Sequence, residues 1–221
     1  MGEPSQVERA YHEIRQGIVE GRYRPGVHLS EAMLARLHRV SRTPVREALS
    51  RLLQDGYVEF VPKRGYTAAP ITLAGLQDVF EVRRLLEGAA AARAAAVATP
   101  ADVDRLRTLA PADYAAGDRQ SYLAALERNQ RFHLAVAEAG RNAMLISVVR
   151  QCLIQMDRTL SLGVDYAPFH DVSEPDHRRV VDAIQRGDAD EARRAMEAHL
   201  DRSHALLLQA VVQGGVRGVG V

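Results

Sequence analysis

The stretch VSRTPVREALSRL, residues 40–52, constrains the fold most, because it combines an apolar helical face with arginines on the opposite face. Apolar residues recur at helical spacing at Val45, Ala48, Leu49, Leu52 and Leu53. Pro44 suits the first helical position, and Thr43 before it is the predicted N-cap. Arg42 and Arg46 follow the polar face, so the N-terminal end of this helix presents groups that suit phosphates and base edges.

The segments around this helix complete a recognisable unit. A first amphipathic helix ends near Gly21, and Ser30 caps a short second helix. After the third helix, residues 57–61 and 66–71 alternate as two strands, joined by the turn PKRG. Helix, helix, recognition helix and basic hairpin predict a winged helix-turn-helix over residues 1–70. Lys63 and Arg64 would lie at the tip of the wing, and Gly65 would permit close approach to a phosphate.

Charge and composition limit the class of protein. The net charge is +1, but residues 1–70 hold 11 Lys and Arg against 8 Asp and Glu, whereas the remainder is slightly acidic. A basic front half favours an anionic partner. The one cysteine, Cys152, excludes an intramolecular disulfide framework and a multi-cysteine zinc finger. No signal peptide or membrane span is predicted, so we expect a soluble, cytoplasmic protein.

Residues 71–221 are predicted to form an all-helical bundle. Six positions are expected to cap helices: Thr72, Thr99, Asp118, Asn142, Ser173 and Asp188. The segment 165–175, DYAPFHDVSEP, is expected to be a loop. The fold class is therefore mainly α, with an N-terminal winged helix-turn-helix and a C-terminal helical domain.

Four residues of the helical domain are candidate metal ligands. Asn129 and His133 are four residues apart and share one side of a helix. His177 lies on the helix before the turn at Gly187, and His199 lies on the helix after it. The two residues are about equally far from this turn, so both lie at a similar height on adjacent helices. Imidazole ligands suit zinc, nickel, copper or iron. Ordinary core or surface histidines are the alternative, since helical spacing alone does not place Asn129 and His133 beside the other two.

The front segment, LSEAMLARLHRVSRTPVREALSRLLQDGYVEFVPKRGY, closely resembles the DNA-binding domain of the GntR family of bacterial transcription regulators. The resemblance covers about residues 5–70. It implies that the positions of Ser41, Arg42, Thr43 and Arg46 contact DNA, together with the wing around Gly65. The family often carries a basic residue early in the second helix, where this chain reads EAML, so that contact is not available here.

The back segments DVFEVRRLLEGAAAARAA, NQRFHLAVAEAGRNAMLISVV and DHRRVVDAIQRGDADEARRAMEAHL resemble the FCD effector domain of the FadR-type GntR subfamily. Many members bind a metal through an Asp and three His, with a small carboxylate effector in the open positions. His133, His177 and His199 match the histidines, and Asn129 replaces the Asp, which keeps an oxygen but loses the charge. Arg83 matches a common family arginine that either faces the cavity or pairs with Glu87.

These observations predict a ligand-responsive transcription regulator, acting as a repressor, and not an enzyme. The expected partners are an inverted-repeat DNA operator, a second copy of the chain, a divalent transition metal such as zinc or nickel, and a small organic acid or sugar acid. One alternative is a metal-dependent hydrolase, although HExxH is missing and no acidic general base is expected beside the histidines. Another alternative is a DNA-binding protein with a purely structural metal.

Overall fold

The structure, a computed structural model, describes residues 5–111, 118–162, 170–212 and 219–220. Its helices are α1 (Gln6–Val19), α2 (Glu31–His38), α3 (Arg42–Gln54), α4 (Leu73–Val97), α5 (Pro100–Leu109), α6 (Arg119–Ala139), α7 (Ala143–Leu162), α8 (His170–Arg186) and α9 (Ala189–Val212). Its strands are β1 (Val58–Val61), β2 (Gly65–Ala68), β3 (Ile71–Thr72) and β4 (Val219–Gly220). The chain divides into two compact units, the N-terminal unit of residues 1–73 with 218–221 and the C-terminal unit of residues 74–217.

The described residues of the N-terminal unit include three helices and a hairpin. The apolar face of α3 packs on α1 and α2, and Ile14, Leu34 and Leu49 are fully buried between them. β1 and β2 pair antiparallel with Val61 opposite Gly65, so that residues 62–64 form the tip of the hairpin. β3 pairs in parallel with β4. The order of helices followed by a hairpin confirms the predicted winged helix-turn-helix.

The start of α3 differs from the sequence prediction. Ser41, not Thr43, is the N-cap, and Arg42 and Thr43 already belong to the helix. Pro44 therefore occupies the third helical position instead of the first. The shift has little energetic cost, because the first few backbone N–H groups of a helix have no partner within the helix and a proline there loses no hydrogen bond. Ser30 does cap α2, as predicted, and accepts a hydrogen bond from the backbone of Met33.

In the part of the C-terminal unit that the structure describes, six helices surround a core of alanine, valine and leucine side chains. Phe132, Val136, Val180 and Met196 are fully buried in its main apolar cluster. Several predicted caps are confirmed. Thr99 and Asp102 form a reciprocal capping box at α5, and three further side chains accept backbone hydrogen bonds at the starts of their helices, namely Asp118, Asn142 and Asp188.

The predicted loop at 165–175 is wrong in its second half. α8 already begins at His170, so Ser173 lies inside the helix and does not cap it, and Pro175 is also helical. Residues 163–169 lie outside the described part. Pro175 is the sixth residue of α8, so it removes one backbone hydrogen bond and its ring crowds the carbonyl of residue 171. Over the ranges given above, no helix combines the length and apolar character needed to cross a membrane.

Candidate metal centre and nucleic-acid interface

Three histidines from three helices meet inside the C-terminal unit. His133 lies on α6, His177 on α8 and His199 on α9, and all three side chains are buried. The Nε2 atom of His199 is 3.3 Å from Nε2 of His177 and 3.3 Å from Nε2 of His133. One nitrogen from each ring lies within 4.8 Å of the others, so these three residues could hold a metal ion. The turn at Gly187 returns α9 along α8 and thereby brings His199 opposite His177.

The opposite nitrogen of each ring faces an oxygen atom. Nδ1 of His133 lies 2.5 Å from Oε2 of Glu87, and Nδ1 of His177 lies 3.0 Å from the carbonyl oxygen of Ala110. Nδ1 of His199 is 3.5 Å from a carboxylate oxygen of Asp176, at ion-pair distance but without hydrogen-bond geometry. With its proton on Nδ1, each ring turns an unprotonated Nε2 towards the other two.

The donor chemistry of this arrangement fits a divalent transition metal. Nitrogen ligands bind tetrahedral zinc at about 2.0–2.1 Å, and two such ligands are then about 3.3–3.4 Å apart. The Nε2 separations of 3.3 Å agree with that spacing. Three converging lone pairs are acceptors without a donor, so a cation satisfies them better than the histidines satisfy one another. Carboxylate and carbonyl partners on the far nitrogens are also typical of metal-binding histidines.

Burial keeps the three imidazoles neutral, which is the state that binds metals. Burial lowers the pKa of His133 to about 4, even though Glu87 opposes the shift. It also lowers the pKa of His177 well below its usual value and lowers that of His199. Burial acts on Glu87 in the opposite direction, but Arg83 and His133 outweigh it and lower the pKa of this carboxyl to about 2. Glu87 is therefore a carboxylate at neutral pH.

Arg83 pairs with Glu87, one of the two alternatives that the sequence left open. The Arg83 Nε donates to Oε1 of Glu87 at 2.6 Å, and both side chains are buried. The pair extends to the histidines, since the other oxygen of Glu87 contacts His133. One donor remains unused, because the buried Nη2 of Arg83 has no hydrogen-bond partner among the described residues. A buried guanidinium donor without a partner is costly, so this atom is suited to an anion.

Two carboxylates lie beside the histidines, although neither is a free general base. Glu87 and Asp176 both face an imidazole, and sequence reasoning missed both contacts. The available signal for Glu87 was its position one turn after Arg83 in a largely apolar helix. Neither acid is free, since Glu87 is bound by Arg83 and Asp176 by Arg202. Asn129 lies one turn before His133 and is half-buried, and its ligation of a metal stays a prediction.

The N-terminal end of α3 presents the residues predicted to contact DNA. Ser41, Arg42, Thr43 and Arg46 are all exposed, and the Ser41 hydroxyl makes no capping hydrogen bond. Arg46 has a partner that the sequence did not reveal. Its Nε and Nη2 donate to the two carboxylate oxygens of Glu31, at the start of α2, over 3.0 and 2.9 Å. The other edge of the guanidinium keeps two parallel donors, as bidentate contact with a guanine requires.

The hairpin tip is a tight basic turn. The backbone N–H of Arg64 donates to the carbonyl of Val61 at 3.0 Å, and Pro62 occupies the turn position that its fixed φ suits. Lys63 has a φ of 67° and Gly65 a φ of 81°, so the chain places a lysine where glycine is the favoured residue. Lys63 and Arg64 are both exposed.

Two family profiles match the chain. The profile described as bacterial regulatory proteins, gntR family, matches residues 6–67, and the FCD domain profile matches residues 78–202. Curated relatives include the HTH-type transcriptional repressor RspR of Escherichia coli K12, which is 28% identical over 87% of this chain and 85% of its own length. A putative L-lactate dehydrogenase operon regulatory protein of the same strain is 30% identical over 88% of this chain and 83% of its own length.

Solved structures share the fold. A putative GntR transcriptional regulator from Rhodococcus sp. RHA1 aligns with a TM-score of 0.74 and 25% identity, covering 94% of this chain and 99% of that one. McbR/YncC of Escherichia coli aligns with a TM-score of 0.73 and 22% identity, covering 95% of this chain and all of the other. The chain belongs to the GntR family of DNA-binding bacterial transcription regulators and carries an FCD domain.

Proposed function

We propose that this regulator is a repressor whose C-terminal unit binds a divalent transition metal and, through it, a small carboxylate effector. The observation that carries the proposal is the convergence of three buried, neutral imidazoles on one point. Neutral nitrogen donors with oxygen partners behind them suit zinc or nickel. Asn129 would add an oxygen ligand without adding charge.

Arg83 supports an anionic effector. A metal bound by neutral ligands keeps its positive charge inside a helical bundle, where a carboxylate interacts strongly with it. The unused Nη2 of Arg83 offers a second donor, and Glu87 links that guanidinium to His133. A small organic acid or sugar acid would satisfy both groups.

The N-terminal unit would read the operator. In this proposal, Ser41, Arg42, Thr43 and Arg46 enter the major groove at the start of α3, and the wing residues Lys63, Arg64 and Gly65 contact phosphates. Two copies would bind an inverted repeat, with the C-terminal unit supplying most of the dimer contact. Sedimentation of the full chain at micromolar concentration should show a dimer, and a monomer would contradict this part of the proposal.

The effector can change DNA affinity only if it binds one conformation of the protein more tightly than another. Because the three histidines come from α6, α8 and α9, occupation of the site would restrain these helices relative to one another. The relatives named as transcription regulators favour this reading over the hydrolase. Glu87 also favours it, since Arg83 and His133 already engage both of its oxygens.

The metal site is tested by His177→Ala and His199→Ala, with His204→Ala as the matched control. His204 lies on α9 like His199, but it stacks on Phe80, away from the three-histidine cluster. Removing a residue that hydrogen-bonds a metal ligand lowers metal affinity by up to about 100-fold. Loss of a ligand itself should therefore lower it by more. Elemental analysis and calorimetry with zinc should show metal in the wild type and His204→Ala only. Full metal content in His199→Ala would overturn the proposed site.

The DNA-binding face is tested by Arg46→Ala and Arg42→Ala, with Arg51→Ala as the control near the other end of α3. We expect a loss of about 1–3 kcal/mol in specific binding for each arginine that reads a base. Lys63→Ala should weaken binding evenly across sequences and flatten its salt dependence. The measurement is anisotropy on an operator selected from random duplexes. Unchanged affinity of Arg46→Ala would show that the assigned face is wrong.

A further inference from the structure

The turn between α2 and α3 contains a residue in an unfavourable backbone conformation. Arg39 ends α2 with φ 54° and ψ 45°, in the left-handed region. Its N–H reaches back to the carbonyls of Ala35 and Arg36, and Val40 also donates to Ala35, so the turn is tightly hydrogen-bonded. Glycine is the residue that suits this position, because it has no Cβ to clash with the backbone.

At several other helix ends of this chain, glycine occupies the position with positive φ. Gly21, Gly56 and Gly187 follow the ends of α1, α3 and α8, all with positive φ. Among the described non-glycine residues, only Arg39, Lys63 and Arg141 have positive φ, and all three are cations. Arg141 has a structural reason, since its guanidinium pairs with Asp102 of the capping box at 2.6 Å. A cation thus occupies each of these three positions, although the backbone geometry there is unfavourable for any residue with a Cβ.

Arg39 has no such structural partner. Its side chain is exposed, and within the described ranges it has no ion pair or side-chain hydrogen bond. It precedes the N-cap Ser41 by two residues, so the two Cα atoms are at most about 7 Å apart. Arg42, the residue after Ser41, is also exposed. The unpaired cation therefore lies beside the end of α3 that is proposed to face DNA.

We propose that Arg39 binds a backbone phosphate of the DNA next to the major groove that α3 enters. The planar guanidinium offers paired donors that match phosphate oxygens, and the short, hydrogen-bonded turn holds its backbone in place. The contact carries affinity and position, not base sequence. This inference rests on the proposed DNA-facing end of α3.

Three substitutions separate the charge of Arg39 from its backbone strain. Arg39→Gly removes the charge and the strain, Arg39→Ala removes only the charge, and Arg39→Lys keeps both. Arg9→Ala is the control, because it removes the same charge from an exposed position on α1. The full-length variants are titrated by anisotropy with a labelled random-sequence duplex over a series of salt concentrations, and Tm is recorded for each.

Arg39→Gly should raise Tm and still weaken DNA binding by about eightfold per protomer at 0.1 M salt, with the log–log salt slope shallower by about 0.9 per protomer. Arg39→Ala should weaken binding equally without the rise in Tm. Arg39→Lys should keep the wild-type salt slope and lose less affinity than Arg39→Ala, because it keeps the charge but not the paired donors. Arg9→Ala should stay close to the wild type. An unchanged salt slope in Arg39→Gly, an equal loss in Arg39→Lys, or a fall in Tm on Arg39→Gly would each overturn the proposal. Arg42→Ala is measured in parallel on the operator selected from random duplexes, and if it has no effect there, the proposed face fails together with Arg39.

Discussion

Two arginine–carboxylate pairs occupy opposite environments in this protein. Arg46 and Glu31, in the N-terminal unit, form a bidentate pair in which the arginine is largely exposed. Arg83 and Glu87, in the C-terminal unit, form a pair that is fully enclosed. Water and salt screen the first pair, so it contributes little and its arginine can exchange partners. The second cannot lose one member without leaving a buried charge, so it is fixed.

This difference matches the two tasks proposed for the units. A residue that binds DNA must leave its resting partner, or share it, at a small cost in free energy. A group that orients a metal ligand must keep its position in every state. The exposed pair is therefore suited to recognition and the buried pair to holding His133 in one orientation through Glu87.

Glu87→Gln should have the largest effect. The amide is similar in size but neutral, so the Arg83 cation stays buried without a counter-charge, and the His133 ring loses a charged acceptor. We expect metal affinity to fall by about 10–100-fold and the free energy of unfolding by about 3–5 kcal/mol. Zinc titration calorimetry and urea unfolding of the full chain measure the two effects.

Glu81→Gln is the matched control, because Glu81 is an exposed acid on the same helix, α4. It removes the same charge and should change neither quantity by more than about 0.5 kcal/mol. If both variants have equal metal affinity, Glu87 does not orient His133. If both unfold at the same urea concentration, the buried pair contributes no more than a surface charge.

The metal-free C-terminal unit should lose stability in mild acid. The pKa of His133 is about 4 when folded and 6.5 as the ordinary value, so below pH 6.5 the unfolded chain takes up this proton first. The stabilisation is complete above pH 6.5 and is lost as the pH falls towards 4. His133 alone accounts for about 3 kcal/mol over this range, and His177 and His199 shift in the same direction.

Urea unfolding of chelator-treated protein between pH 7.5 and 4 checks this expectation, with His133→Gln as the comparison. Glutamine has no titratable group, so its unfolding should depend less on pH in that window. Equal pH dependence of the two proteins would show that His133 is not held neutral by burial. Added zinc should also move the unfolding midpoint upward at neutral pH, because the metal binds the folded state.

The sequence predicted the elements better than the contacts between them, for physical reasons. Helical periodicity and caps locate α3, α5 and α9, and the counted distance from the turn at Gly187 correctly paired His177 with His199. The contact between Glu87 and His133 was missed because α4 is alanine-rich and buried on several sides, so periodicity does not mark its inward positions. Glu31 is fifteen residues from Arg46, and only the packing of α2 on α3 brings them together. The start of α3 lies two residues earlier than predicted, because Ser41 is also a residue type that occurs at N-caps.

Glu31→Gln should have the smallest effect on stability and still change recognition. Breaking an exposed pair costs at most about 1 kcal/mol of unfolding free energy. The free guanidinium of Arg46 then samples more orientations, so discrimination against the wrong base at its position should fall by less than Arg46→Ala produces. Affinity for random-sequence DNA should rise, because one anion near the phosphates is removed.

Glu8→Gln is the control, since it breaks the comparable exposed pair with Arg51 towards the far end of α3. Competition between the selected operator and single-base variants measures the discrimination. If Glu31→Gln discriminates as well as the wild type, the carboxylate does not orient Arg46, and the exposed pair would be only a resting contact.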